Sequence, residues 1–329
     1  MPSQRVNIDE SPLFWPARLQ NGVLEVLDET LIPSRVKFIR VRTTRESVKV
    51  IREMKTRAFG QLLVVLNTFL LLFKNKKGMS ERILLREIQK MAEKLNASRP
   101  TFPFSEVTGR VVAWAQTAFD NGDDISNVVS QRIRGYLEQI RIRRLGRVRR
   151  LAGVIKNGDS VLTHCNVSGE LAMAAALCRK NKKRVQFFAT ETRPYFQGAK
   201  LTCWELKKVG ADVTLITDNA VASVMSDGLV NKVIVGSDRN CANGDFANKI
   251  GTYAIAVLAK EFEIPFYVLT QPSRRLKNGR DIPIEFRDPD EILIFRGKRV
   301  VPRKVKALYP GFDIIPHQYV TKAIELNVN

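Results

Sequence analysis

From Gly158 onward, five short runs rich in β-branched and apolar residues alternate with longer stretches whose apolar residues recur at helical spacing. The runs are 160–164, 184–189, 212–217, 232–236 and 265–269, and the helical stretches between them fall near 168–180, 199–209, 220–226 and 248–262. Such alternation predicts parallel strands in one sheet, right-handed crossovers and helices on both faces. Up to about position 156 the pattern is mostly helical, as in Ile133, Leu137, Ile140, Leu145, Val148, Leu151 and Ile155, which step along one face. Lys156-Asn157-Gly158-Asp159 carries the turn residues of a boundary. The expected class is therefore α/β, with a mainly helical domain over 1–156 and a parallel-sheet domain over 157–329.

A chain of 329 residues, 44% of them hydrophobic, is long enough for two such cores. Lys and Arg number 54 against 33 Asp and Glu, and a formal charge of +21 attracts anions from phosphate esters to nucleic acid. The greasiest run, 62–73, is only 12 residues long and includes Asn67 and Thr68, so it reads as a buried helix and no membrane span is expected. The first thirty residues include Asp9, Glu10, Glu25, Asp28 and Glu29 without an uninterrupted apolar core, so no secretory signal is read and a cytoplasmic location is expected. The four cysteines are widely spaced, with only His164 and His317 to accompany them, which gives a zinc site or a disulfide framework little support. An arginine-dense stretch (Arg132, Arg134, Arg141, Arg143, Arg144, Arg147, Arg149, Arg150) lacks the aromatic interleaving of single-strand binders. It reads as the solvated face of an amphipathic helix, and nucleic acid is not indicated beyond net charge.

In a sheet of this kind, ligand groups gather outside the carboxyl ends of the strands. Thr163-His164-Cys165-Asn166 follows the first run and Gly236-Ser237-Asp238-Arg239 the fourth. A helix opening near Ser168 would stabilise a thiolate at Cys165 through its dipole, although a buried structural cysteine is the alternative. Asp238 is either a ligand-facing carboxylate or an N-cap. Cys178 and Cys203 sit among apolar neighbours in helical patterns and read as core, whereas Cys241 is undecided. Asn248 and Lys249 open the last helical stretch, and a helix N-terminus beside a lysine suits a phosphate dianion. Glu191-Thr192-Arg193-Pro194 with Gln197 follows the second run and Thr217-Asp218-Asn219 the third, so four polar clusters converge on one sheet edge as a candidate catalytic pocket. No dinucleotide or Walker-type glycine pattern is present, so nicotinamide cofactors and nucleotide triphosphates are not indicated, and no metal site is expected.

Taken together, T-H-C-N at 163–166, E-T-R-P-x-x-Q-G-A at 191–199, L-I-T-D-N at 215–219, V-G-x-D-R at 235–239 and A-N-G-D-x-A-N-K-I-G-T-Y at 242–253 resemble the methylthioribose-1-phosphate isomerase family. Its relatives include ribose-1,5-bisphosphate isomerase and the regulatory subunits of translation initiation factor 2B. Weaker matches occur at 27–33 and at Arg99-Pro100-Thr101. The resemblance implies a helical N-terminal domain followed by a Rossmann-like domain, usually in a homodimer, acting on a small sugar phosphate without a cofactor. It implies Asp238 as proton donor to the ring oxygen and Cys165 as the group acting at C1 and C2, with Arg57, Arg99, Gln197, Asn248 and Lys249 holding phosphate and ribose hydroxyls. The family's R-G-A-P-A-I-G reads here Arg57-Ala58-Phe59-Gly60-Gln61-Leu62-Leu63, which places a bulky ring in the phosphate loop. Three functions follow as expectations: conversion of methylthioribose 1-phosphate to its ketose in methionine salvage, the same isomerisation of ribose 1,5-bisphosphate or another pentose phosphate, or a non-catalytic regulatory binding protein. Retention of both Cys165 and Asp238 favours the enzymes.

Overall fold

The computed structural model describes residues 10–75, 78–100, 102–271 and 275–326. Thr101 of the Arg99-Pro100-Thr101 match lies outside them, as do the first nine residues, Asp9 included, and the last three of the expected domains. The described residues form two units, Glu10–Ile142 and 143–326, and the division falls inside one long helix.

The first unit opens with a sheet that helical periodicity did not anticipate. Strands β1 (Ala17–Gln20), β2 (Val23–Leu27) and β3 (Phe38–Val41) pair antiparallel in that order. Gln20 pairs with Val23, and the Asn21-Gly22 turn between them has both φ angles positive, at 50° and 72°. Asn-Gly tolerates that backbone and matches the twist of a tight hairpin. Helices α1 (Thr44–Arg52), α2 (Ala58–Asn75), α3 (Glu81–Asn96), α4 (Phe104–Asp120) and α5 (Ile125–Val154) follow. The Thr43 hydroxyl accepts the Glu46 N–H, and the Glu46 carboxylate accepts the Thr43 N–H, which starts α1 sharply. The apolar run expected as a buried helix lies in α2, whose Leu63, Leu66 and Phe69 share one core with Leu24, Val26, Ile88, Phe104 and Val111.

The second unit holds β4 (Ser160–Thr163), α6 (Glu170–Lys180), β5 (Gln186–Thr190), α7 (Cys203–Lys208), β6 (Asp212–Ile216), α8 (Val221–Ser226) and β7 (Lys232–Val235). After them come β8 (Arg239–Asn240), β9 (Phe246–Lys249), α9 (Thr252–Glu261) and β10 (Phe266–Thr270). The chain closes with α10 (Asp290–Leu293), the β11 (Ile294–Phe295) and β12 (Lys298–Arg299) hairpin, β13 (Phe312–Ile315) and β14 (Lys322–Glu325). All five predicted strands are present in a six-stranded parallel sheet of order β14-β10-β7-β4-β5-β6, to which β14 adds the strand the sequence reading lacked. From β4 the chain winds outward through β5 and β6, then returns to the other side of β4 at β7. The β4/β7 boundary is thus the topological switch point, where open α/β sheets form their ligand crevice. Among the described residues no helix is long and apolar enough to cross a membrane.

Two expectations are corrected here. Asn248 and Lys249 do not open a helix: they end β9, the middle strand of an antiparallel sheet of order β13-β9-β8. The helix begins only at Thr252, after Gly251 turns the chain with φ +101°, and the Asp313 carboxylate already accepts the Gly251 and Tyr253 N–H groups at 2.7 and 3.0 Å. An anion at that helix start is therefore supplied by the protein itself. The arginine-dense helix is also not simply a solvated face. Arg144 and Arg147 are buried, and both reach the buried Glu170, with Arg144 Nε–Oε1 and Arg147 Nε–Oε2 at 2.7 Å. Burial alone would raise the Glu170 carboxyl, but the charges of Arg147 and Arg144 outweigh it and hold the group below its usual range. Burial lowers Arg144 to about 10, against the pull of Glu170. Arg144 also donates to Ser168 O and Arg147 to Thr270 O, each at 2.7 Å, so the cluster ties α5 to the loop after β4 and to the end of β10.

Candidate active site at the switch point

Cys165 leaves the carboxyl end of β4 and Asp238 that of β7, adjacent strands in register at Leu162 and Val233. Cys165 is half-buried and adopts φ +61°, a conformation that needs support from its surroundings in a residue with a side chain. Its N–H donates to Thr192 Oγ1 at 3.0 Å, and its carbonyl accepts the Thr202 hydroxyl at 2.6 Å. Thr192 is itself fixed by Asp218, whose carboxylate accepts the Thr192 and Arg193 N–H groups at 2.7 and 2.6 Å. The polar cluster after β6 therefore serves the cluster after β5, which holds Cys165. Thr202 and Asp218 were not singled out from the sequence as supports for Cys165, and the only signal was their position after neighbouring strands.

The neighbouring His164 is buried and neutral. Its Nε2 lies 2.8 Å from the Ile250 carbonyl, which can only accept, so Nε2 carries the proton and Nδ1 accepts the Thr190 hydroxyl at 2.6 Å. Burial lowers its basicity, partly offset by the hydrogen bond to Ile250. Gly251 is required beside it, since a Cβ there would come within 3.2 Å of the ring and the φ is positive.

The β9 strand links the two candidate groups. Ala247 O accepts the Asp238 N–H at 2.8 Å, and Ile250 O accepts from His164, so Asn248 and Lys249 span the interval between the Asp238 and Cys165 segments. Both are buried, Asn248 Nδ2 donating to Thr252 Oγ1 at 3.0 Å, with Lys249 Nζ 4.9 Å from the Phe312 ring centroid and 5.7 Å from that of Tyr195. Gln197 enters from the loop after β5, just ahead of a wide π-type turn at Gly198–Thr202. Gly198 allows that turn to close on the sheet, because a Cβ would meet Thr190 O at 1.8 Å. Gln197 Oε1 is buried with no hydrogen-bond partner among the described residues, as are Thr163 Oγ1 at the end of β4 and Thr270 Oγ1 at the end of β10. A buried acceptor left unpaired costs about 1–3 kcal/mol, which a bound hydroxyl would recover.

Cys178 is buried as expected of a core residue, Cys203 is only half-buried, and Cys241, left undecided by the sequence, is buried with Ala247 and Ile282. Arg57 and Arg99 belong to the helical unit and are drawn together there. Glu29 accepts the Thr56 hydroxyl at 2.5 Å and the Arg57 N–H at 3.1 Å, and Gln61 accepts from Arg99 Nη1 at 3.0 Å while donating to Thr56 O at 3.0 Å. Burial raises the Glu29 carboxyl, and Arg57 opposes that rise. Gly60 lets the first turn of α2 close over Thr56, whose Oγ1 would lie 1.8 Å from a Cβ, and the Phe59 ring packs edge-on to Trp15 with centroids 5.6 Å apart.

The sequence pattern of the initiation factor 2 subunit family matches residues 60–325. The chain belongs to that family. Within it, the chain is 38% identical to the 5-deoxyribose 1-phosphate isomerase of Moorella thermoacetica, over 95% of this chain and 92% of that protein. It is 36% identical to the methylthioribose-1-phosphate isomerase of Desulforudis audaxviator, again over 95% and 92%. Among solved structures, the 5-methylthioribose 1-phosphate isomerase from Pyrococcus horikoshii OT3 superposes with a TM-score of 0.84 at 31% identity, covering 94% of this chain and 90% of that one. The family resemblance carried by the T-H-C-N, E-T-R-P and V-G-x-D-R motifs is thus borne out along most of the chain.

Proposed function

We propose that this protein is an aldose–ketose isomerase that converts S-methyl-5-thioribose 1-phosphate to S-methyl-5-thioribulose 1-phosphate. The observation that carries the reading is the departure of Cys165 and Asp238 from adjacent strands at the switch point, joined by the β9 segment that bears Asn248 and Lys249. The printed activities of the similar proteins supply the reaction class. The 1-phosphate blocks spontaneous ring opening, so the protein must assist it. Asp238 gives a proton to the ring oxygen as its bond to C1 breaks. Hydrogen then passes from C2 to C1 under the control of Cys165, and the C2 hydroxyl loses its proton, leaving a ketone at C2 and the phosphate on C1. Gln197 accepts from a sugar hydroxyl through its otherwise unpaired Oε1. Lys249 supplies positive charge for the phosphate, and Asn248 orients the ribose. The position of His164 beside the thiol does not make it the base, since both ring nitrogens are engaged elsewhere.

A second substrate, 5-deoxyribose 1-phosphate, is favoured by the 38% identity to an isomerase named for it. The two sugars share an uncharged C5 substituent, which separates them from ribose 1,5-bisphosphate. An NMR assay of the purified protein with each of the three sugars tests the reading. Ketose signals from one or both of the uncharged-C5 sugars are expected. Turnover of the bisphosphate alone would overturn the substrate assignment, and inertness toward all three would overturn the enzyme reading.

A further inference from the structure

The phenol of Tyr309 is buried, with the residue 5% exposed, and its Oη has no hydrogen-bond partner among the described residues. The neighbouring phenol is its opposite. Tyr195 donates to Glu291 Oε1 at 2.5 Å and accepts from Arg287, which also bonds Glu285 and Glu291 at 2.7 Å. Tyr195 is thus anchored, whereas Tyr309 is not.

The backbone around Tyr309 is fixed by three ties. Arg287 N–H donates to Tyr309 O at 2.9 Å, Gly311 N–H to Glu285 O at 2.8 Å, and Ile250 N–H to Gly311 O at 3.2 Å. Ile250 O in turn accepts from His164, the residue before Cys165. Two hydrogen bonds through one residue therefore join the Tyr309 segment to the Cys165 segment.

We propose that the Tyr309 hydroxyl is a substrate-binding donor of this site, directed at an uncharged oxygen of the bound sugar. The assignment rests on the isomerase reading above and names a further residue that recognises its substrate. Burial pushes the pKa of the Tyr309 phenol up, and the neighbouring Glu291 carboxylate adds to the rise while Arg287 opposes it. The group therefore stays protonated and able to donate to a hydroxyl or carbonyl oxygen.

The test compares Tyr309→Phe with the wild type in turnover, and repeats the comparison by calorimetric titration of S-methyl-5-thioribose 1-phosphate into the Cys165→Ser background. Loss of one such bond is expected to weaken binding roughly tenfold. The melting temperature of the ligand-free variant should be unchanged or higher, because the substitution removes an unpaired buried hydroxyl. Turnover by the wild type with equal binding by both forms would overturn the Tyr309 assignment and leave the isomerase reading intact. Binding that depends on Tyr309 without turnover by the wild type would do the reverse, and absence of binding would refute both. A melting temperature lowered by several degrees would also overturn the assignment, by showing that the hydroxyl serves the fold.

Discussion

Replacing Glu170 by glutamine would remove the carboxylate that the buried Arg144 and Arg147 share, with Glu205 left as a further negative charge near Arg144. Breaking a buried ion pair by removing one partner costs roughly 3–5 kcal/mol, because the remaining charge is neither solvated nor paired. Here one carboxylate serves two guanidinium groups, while Glu205 still offsets part of the Arg144 charge, so the whole of that range applies. For a folding unit of this size each kcal/mol shifts the melting temperature by about 2–4 °C, which gives a drop on the order of 6–20 °C. Thermal denaturation followed by circular dichroism reads the effect, with Glu25→Gln as the control. Glu25 pairs with Arg18 at 3.3 Å at the surface, where such pairs are worth only about 0–1 kcal/mol. The pH dependence has a definite sign. The folded Glu170 carboxyl lies below its ordinary range, so its contribution is complete above the unfolded value of about 4.3 and is lost as pH falls toward the folded value. The gap between wild type and Glu170→Gln should therefore narrow only in acid. A Glu170→Gln protein melting within about 2 °C of wild type at pH 7 would refute the argument.

Cys165→Ser and Asp238→Asn should each reduce kcat by at least about 100-fold while leaving the melting temperature near wild type, and wild-type rates in both would remove these residues from the chemistry. Gly251→Ala places a Cβ at φ +101° and within 3.2 Å of His164, so a loss of about 1–3 kcal/mol is expected in urea titrations. Because the fold holds His164 neutral, its contribution rises with pH as the unfolded imidazole, with its value near about 6.5, loses its proton. His164→Asn should flatten that part of the stability profile measured between about pH 5 and 7, and an unchanged slope would assign the dependence to other groups.

The sheet was legible because its strands are short, apolar and separated by helices, and hydrophobic period alone distinguishes those states. Asn21-Gly22 also carried a hairpin signal, but it lay in a segment dominated by helical spacing, and the three strands beside it stood unread. Asn248 and Lys249 failed for a different reason. The tetrapeptide Phe246–Lys249 has little intrinsic strand preference and is extended because β8 and β13 flank it, a tertiary effect with no local signature. Arg144 and Arg147 look like their exposed neighbours in sequence. What separates them is Glu170, more than twenty residues away and legible only in three dimensions. The positions of Cys165 and Asp238 at the carboxyl ends of adjacent strands, by contrast, were legible in the strand pattern, because strand ends in a parallel sheet converge.

A histidine next to a cysteine in sequence is the raw material of a thiol hydrolase, in which the imidazole takes the sulfur's proton. In this scaffold the ring is a cross-brace from β4 to β5 on one side and to the turn before α9 on the other. Redesign toward acyl transfer would have to release both nitrogens first, starting at Thr190, and would loosen three elements in doing so. The brace thus makes a change of reaction type expensive at the one place where a single substitution would otherwise seem closest to achieving it.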